Sequence, residues 1–303
     1  AQAGRARKGL SMFVIIGIFV VFGAVIGGYL MEHGELMVLV QPAEYVIILG
    51  AAIGTVLIAN PPSVLKGMIS GTLAALKGSP YGKKRYLEAL KALYDIFQYV
   101  RKNGLAKLEQ DIEKPKESEL FKSHTWLVKD HYALDFVCDT FRMTMTGHVQ
   151  PFELDQMLEH DLEVHHHEND EPAHSLQTVA DALPGLGIVA AVLGVVITMG
   201  SLGGPPEEIG HKVAAALVGT FLGILFCYGL VAPLSSVIQK GNKHRLEFLV
   251  CIKAALVASV KGAAPILAVE QARRLAPPHV RPSFNELEAA CKGGGAAAKA
   301  EAA

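Results

Sequence analysis

The chain carries almost no charge where its apolar runs are longest. Over 303 residues, 28 Lys and Arg stand against 29 Asp and Glu. No long basic run breaks that balance, so nothing points to nucleic-acid binding. Cysteine is scarce: Cys138, Cys227, Cys251 and Cys291 show no CxxC or other metal-binding spacing. They read as ordinary reduced thiols of a chain whose bulk is cytoplasmic. There is no nucleophile elbow, P-loop, dinucleotide fingerprint or zinc-protease motif. Ser, His and Asp occur only as scattered residues. The expectation is a non-enzyme without a bound cofactor.

What is abundant is apolar sequence. Half of the residues are hydrophobic (51%), and the mean hydropathy is positive. From Ala180 to Ala232, two apolar runs of about 20 residues flank the polar turn SLGGPPEEIGHK. Each is long enough to cross a hydrocarbon layer of roughly 30 Å as a helix. Neither carries Asp, Glu, Lys or Arg in its interior. Gly187, Ala190, Ala191 and Gly194 recur at i, i+3, i+4 and i+7, as do Ala216, Gly219, Thr220 and Gly223. This spacing lays a stripe of small residues on one face of each helix, and in lipid such stripes let backbones approach closely.

Two further spans are expected near the N-terminus, at about 12–31 and 44–60. Gly23 with Gly27, and Gly50 with Gly54, repeat the GxxxG spacing. The basic lead 1–11 could introduce a signal peptide. The apolar run after it is too long for one, and Gly27-Gly28-Tyr29 is a poor cleavage site, so a retained membrane helix is expected. Soluble helices rarely run so long without a polar face.

Pro61-Pro62 closes the first hairpin, and the composition changes. Residues 83–100 place Leu87, Leu90, Leu93, Tyr94 and Phe97 on one face of an amphipathic helix. Asn103-Gly104 stops it. A short helix over 105–112, a third over 121–147 and an acidic fourth from Pro151 to about Asn169 follow. After the last span, 239–276 reads as amphipathic helix, interrupted at Pro265. The expected organisation is a basic segment (1–11), a membrane hairpin (12–60), a cytoplasmic helical domain (61–179), a second hairpin (180–236), a C-terminal cytoplasmic helix and segment (237–290) and a disordered tail (291–303). The fold class is all-α: a polytopic membrane protein of four transmembrane helices with a cytoplasmic helical domain between spans two and three. Lys and Arg gather before the first span and after the second and fourth. The positive-inside rule therefore puts both termini and the helical domain in the cytoplasm.

Few residues suggest chemistry. HDLEVHHHEND pairs Asp161 with His165 and Glu163 with His167 at helical spacing, which could hold a transition metal. No local structure fixes a ligand set, and a solvated helix face is the simpler reading. The spans offer hydroxyls only, at Thr55, Thr198 and Thr220, whereas an ion pathway normally needs a titratable group within the membrane. Glu44 and Asp181 stand at span boundaries. If the chain moves ions, the carboxylate is expected from a partner helix. Pro184 and Pro233 mark span edges, as hinges or as simple helix-end punctuation. Arg101 and Glu109 face each other across Asn103-Gly104 and would otherwise be ordinary surface charges.

The strings QPAEYVIILGAAIG, LEQDIEKPKES, LPGLGIVAAVLGVV, VGTFLGILFCYGLVAPL and RPSFNELE resemble the motility protein A (MotA) family, the channel-forming stator subunits of the bacterial flagellar motor. The resemblance runs from about Met12 to Ala290. It implies an inner-membrane protein forming a homo-oligomer, a pentamer, around a dimer of motility protein B. The single membrane helix of that partner carries an essential Asp. Ion flow, here of protons, protonates that Asp and drives the rotor protein FliG. By position, Arg101 and Glu109 resemble the family's rotor-facing charges, Pro184 and Pro233 its conformational prolines, and Ala191 and Thr220 its channel lining. Thr198 adds a further hydroxyl to the expected ion path. An ExbB/TolQ-like energiser of outer-membrane processes is the alternative within the superfamily. Its three spans and external N-terminus disagree with the first hairpin here. A non-conducting scaffold in the lipid is the alternative from another class.

Overall fold

The computed structural model describes residues 2–147, 149–200 and 203–300, with side chains for 12–147, 149–200 and 203–293. Among these, every regular element is helical. In chain order they are α1 (Gln2–Met31), α2 (Leu36–Leu39), α3 (Pro42–Ala59), α4 (Pro62–Ala75), α5 (Lys83–Asn103), α6 (Leu105–Glu113), α7 (Glu119–Lys122), α8 (Thr125–Lys129), α9 (His131–Met145), α10 (Pro151–Met199), α11 (Pro206–Phe226), a π-helical turn (Cys227–Val231), α12 (Ala232–Val260), α13 (Pro265–Leu275) and α14 (Phe284–Ala300). The chain falls into two compact units: residues 80–166 with those from 243 onward, and residues 7–79 with 167–242. Residues 61–79 and 167–179 thus group with the apolar helices rather than with the helical bundle.

The first unit is a helical bundle around a conventional core. On α5, Tyr86, Leu90, Leu93 and Phe97 are buried with Leu108, Leu127, Phe141, Leu154 and Phe248. Phe248 meets Tyr86 and Trp126 edge to face, with centroids 5.3 and 5.7 Å apart, a favoured aromatic geometry. Lys253 is held by Asp155, at 2.9 Å, and by Glu159. The single helix expected over 121–147 is instead three, α7 to α9. Buried Phe121, Trp126, Leu127, Ala133 and Leu134 do not share one helical face, so the chain turns to bury them. Asp130 caps α9 by accepting from the Ala133 N–H, an N-cap arrangement. Gly262, at φ +84°, and Pro265 at the first turn of α13 make the expected interruption. The tail does not begin at 291, because Cys291 is helical and buried. The expected disordered tail is helical through Ala300, and the basic segment is the start of α1 from Gln2 onward; the side chains of 1–11 and of 294–303 lie outside the described residues.

The second unit contains the spans. Four helices are long and apolar enough to cross a membrane, within Met12–Met31, Leu36–Ala59, Pro151–Met199 and Pro206–Val260. Their outward side chains are large and bare: Phe13, Phe19, Val46, Ile58 and Ile197 are each more than 60% exposed. An apolar surface of that extent needs lipid or other chains around it, and the chain is a multi-pass membrane protein.

Two boundaries differ from expectation. The acidic helix does not stop near Asn169; α10 runs on through Pro172 and Pro184 into the third span. Each proline removes one helical hydrogen bond, but local packing holds the axis together. A Cβ on Gly67 would lie 2.5 Å from Cγ of Pro172, and Ala173 is buried with Ala75 and Ile238. Ser235 Oγ donates to the Ala173 carbonyl at 2.8 Å, and Ser175 Oγ to Asn60 Oδ1 at 2.6 Å. Pro233 likewise does not end its helix, which continues from the π-helical turn through α12.

Candidate functional site

The third and fourth spans meet along the two small-residue stripes. A Cβ on Gly187 would lie 2.7 Å from the Gly219 carbonyl oxygen, one on Gly194 would lie 2.7 Å from the Ala216 Cβ, and one on Gly223 would lie 2.5 Å from the Leu183 carbonyl oxygen. No real side chain tolerates these separations, so glycine is required for the contact. The GxxxG pairs of the other two spans behave differently. Gly23, Gly27, Gly50 and Gly54 have open space where a Cβ would be.

Ala191 and Thr220 flank this contact, on α10 and α11. The Cβ position of Gly219 is 3.2 Å from the Ala191 nitrogen, and that of Gly187 is 3.3 Å from the Thr220 Cα. Both residues are half-buried, so the structure brings the expected wall together. Thr198 stands two turns beyond Ala191 and is buried. Its hydroxyl donates to the Gly194 carbonyl of its own helix at 2.8 Å.

The prolines sit at two irregular points of the same pair of helices. Pro184 has no N–H, so the Ala180 carbonyl lacks its usual helical donor. It directly follows Leu183, whose carbonyl is the close neighbour of Gly223. Pro233 follows the π-helical turn, in which the Ala232 N–H reaches the Cys227 carbonyl. Such a turn is a recognised way to fit a proline into a continuous helix, and it weakens the axis there.

Arg101 and Glu109 are both exposed. Gly104, at φ +80°, separates their helices, a conformation that side-chain-bearing residues rarely adopt. In the histidine-rich stretch, His165 stacks on Tyr132 with centroids 3.4 Å apart. No three His, Cys, Asp or Glu gather as metal ligands among the described residues.

Glu44, expected at a span boundary, lies in the first turn of α3, and the apolar stretch around it begins earlier, at Leu36. Glu44 opens α3, only 7% exposed, against Gly219. The apolar residues on both sides of QPAE were the available signal.

Residues 15–104 match the family model of the motility protein A N-terminal region, and residues 130–249 that of the MotA/TolQ/ExbB proton channel family. The chain is 42% identical to motility protein A of Escherichia coli over 277 residues, covering 91% of this chain and 94% of the relative. It is 38% identical to chemotaxis protein LafT of Vibrio parahaemolyticus over 273 residues, covering 90% and 96%. Its fold is similar to a chain of the MotAB structure of C. jejuni, with a TM-score of 0.71, 18% identity, and 90% and 99% coverage.

Proposed function

This chain belongs to the motility protein A family, and we propose that it is a stator subunit of the bacterial flagellar motor, forming with motility protein B a proton channel that couples ion flow to torque. The observation that carries the reading is the backbone-to-backbone contact of spans three and four, with Ala191 and Thr220 beside it. The wall residues themselves offer one hydroxyl and no charge, a surface on which a partner carboxylate can sit, and the Glu44 carboxyl lies next to it, against Gly219.

Five copies surround a dimer of motility protein B in the inner membrane, with both termini and the helical bundle in the cytoplasm. The partner's Asp lies against Ala191 and Thr220. Protonating it removes the cost of a charge in a low-dielectric site, which changes the relative stability of two helix arrangements. Pro184 and Pro233 place weakened backbone hydrogen bonding where those helices move. The bundle carries the displacement to Arg101 and Glu109, which act on charges of the rotor protein FliG. No catalysis and no bound cofactor are involved.

The ExbB/TolQ-like alternative is not favoured, since the matched N-terminal region includes the first hairpin that such proteins lack. A lipid-embedded scaffold would bind no protein with an acid in its membrane helix. Co-purification of the tagged chain with a one-span protein bearing a membrane Asp supports the stator reading. Recovery of the chain without such a partner, from cells that express one, contradicts it.

A further inference from the structure

The face of α3 that packs into the second unit bears Glu44, Ile48 and Ala52 at i, i+4 and i+8, all buried. A carboxylate therefore heads a face that is otherwise apolar and turned away from lipid. Its Oε2 has no hydrogen-bond partner among the described residues. Glu44 stands about four turns from Ala59, roughly 22 Å of helix. With Ala59 at one face of a hydrocarbon layer of about 30 Å, the carboxylate falls inside the layer. A Cβ on Gly219 would lie 2.5 Å from Oε2 and 3.2 Å from the Ala191 nitrogen. The free oxygen, the glycine that makes room for it and the Ala191–Thr220 wall thus occupy one place.

An ionisable side chain inside a membrane is costly, and an unpaired buried oxygen adds to the cost. An apolar residue would complete the Ile48–Ala52 face without either cost, so packing does not explain a carboxylate here. We propose that Glu44 is a protonatable relay of the ion path, serving the same site as the partner carboxylate and resting on the channel reading above. Oε2 takes a proton from hydronium, leaving water and a neutral carboxylic acid. The acid then gives that proton to the partner carboxylate at the Ala191–Thr220 wall and returns to its anionic form. No electrons move, and no bond between heavy atoms forms or breaks.

The test uses the complex of this chain with its one-span partner in liposomes. A potassium diffusion potential drives proton uptake, read with a pH-sensitive dye, for the wild type, Glu44→Gln and Glu44→Asp. The expected result is at least a tenfold loss of flux for Glu44→Gln, which keeps the size but not the proton. Partner co-elution and melting temperature stay unchanged, and Glu44→Asp retains measurable flux. Uptake by Glu44→Gln within twofold of the wild type overturns the relay and leaves the channel reading intact. A wild-type complex that passes no protons overturns both. Should Glu44→Gln fail to assemble, a hydrophobic carbodiimide, which adds to protonated carboxyls in apolar surroundings, is applied to the wild-type complex. Modification mapped to Glu44 with loss of flux supports the relay. A Glu44 that stays unmodified while the partner's membrane Asp reacts overturns it.

Discussion

The Gly187 Cα and the Gly219 carbonyl oxygen approach so closely that a single added methyl on Gly187 would sit 2.7 Å from that oxygen. Spans three and four therefore have no slack at this level. Any change of their crossing must be taken up elsewhere along the helices, where Pro184 leaves one carbonyl without its helical donor and a π-helical turn precedes Pro233.

The glycine contact gives a contrast that can be measured. Gly187→Ala and Gly223→Ala force backbone atoms apart, so each is expected to cost about 1–3 kcal/mol, as overpacking does. Gly50→Ala and Gly54→Ala meet open space and improve helix propensity, so the chain alone in detergent keeps or gains thermal stability. Melting curves decide. Equal losses at all four positions would mean that the stripes of spans three and four are not special.

Charge reversal at Arg101 or Glu109 is expected to reduce swimming while membrane levels and proton leak stay at wild-type values. Exposed charges contribute little to folding, so the effect must come from a contact outside the chain. Partial recovery by an opposite reversal on the rotor is the positive sign. Disappearance of the reversed protein from the membrane would make these residues structural.

Pro184→Ala restores an N–H for the Ala180 carbonyl and stiffens the start of the third span. The variant is expected to insert and to bind its partner, yet to turn tethered cells slowly or not at all. Normal rotation would reduce this proline to a passive irregularity in a long helix.

The thiols of the helical bundle are expected to be inert. Burial pushes Cys138 and Cys251 up to about 12 and Cys291 up to about 11, so almost no thiolate is present at neutral pH. Maleimide labelling of these three should appear only on unfolding. Rapid labelling of the native protein would show that the bundle opens far more readily than its core implies.

Much of this arrangement was legible in the sequence because it rests on local periodicity. The stripes at 187–194 and 216–223 predicted which faces touch, and the apolar spacing of 83–100 predicted the buried face of α5. What was not legible depends on neighbours distant in the chain. The acidic helix reads as ending near Asn169 until Gly67 is found against the ring of Pro172. Pro233 reads as an edge until the π-helical turn before it absorbs the missing hydrogen bond. Phe121 and Trp126 suggest one helix, but their burial requires three. Glu44 reads as a span-boundary residue until its burial against Gly219, on a helix far along the chain, is seen.

The central claim, that this chain and its partner turn proton flow into rotation, is tested most directly by rotation speed in cells whose only stator is this pair. Speed is followed as sodium is replaced by potassium at constant pH, with and without a protonophore. Ala191 and the glycines beside it offer no side-chain oxygen, Thr220 offers one hydroxyl and Glu44 one carboxyl group, fewer ligands than a dehydrated sodium ion requires. The account predicts speed that is unchanged by the replacement and abolished by the protonophore. Rotation that stops without sodium, and that persists with protonophore while sodium is present, would contradict it.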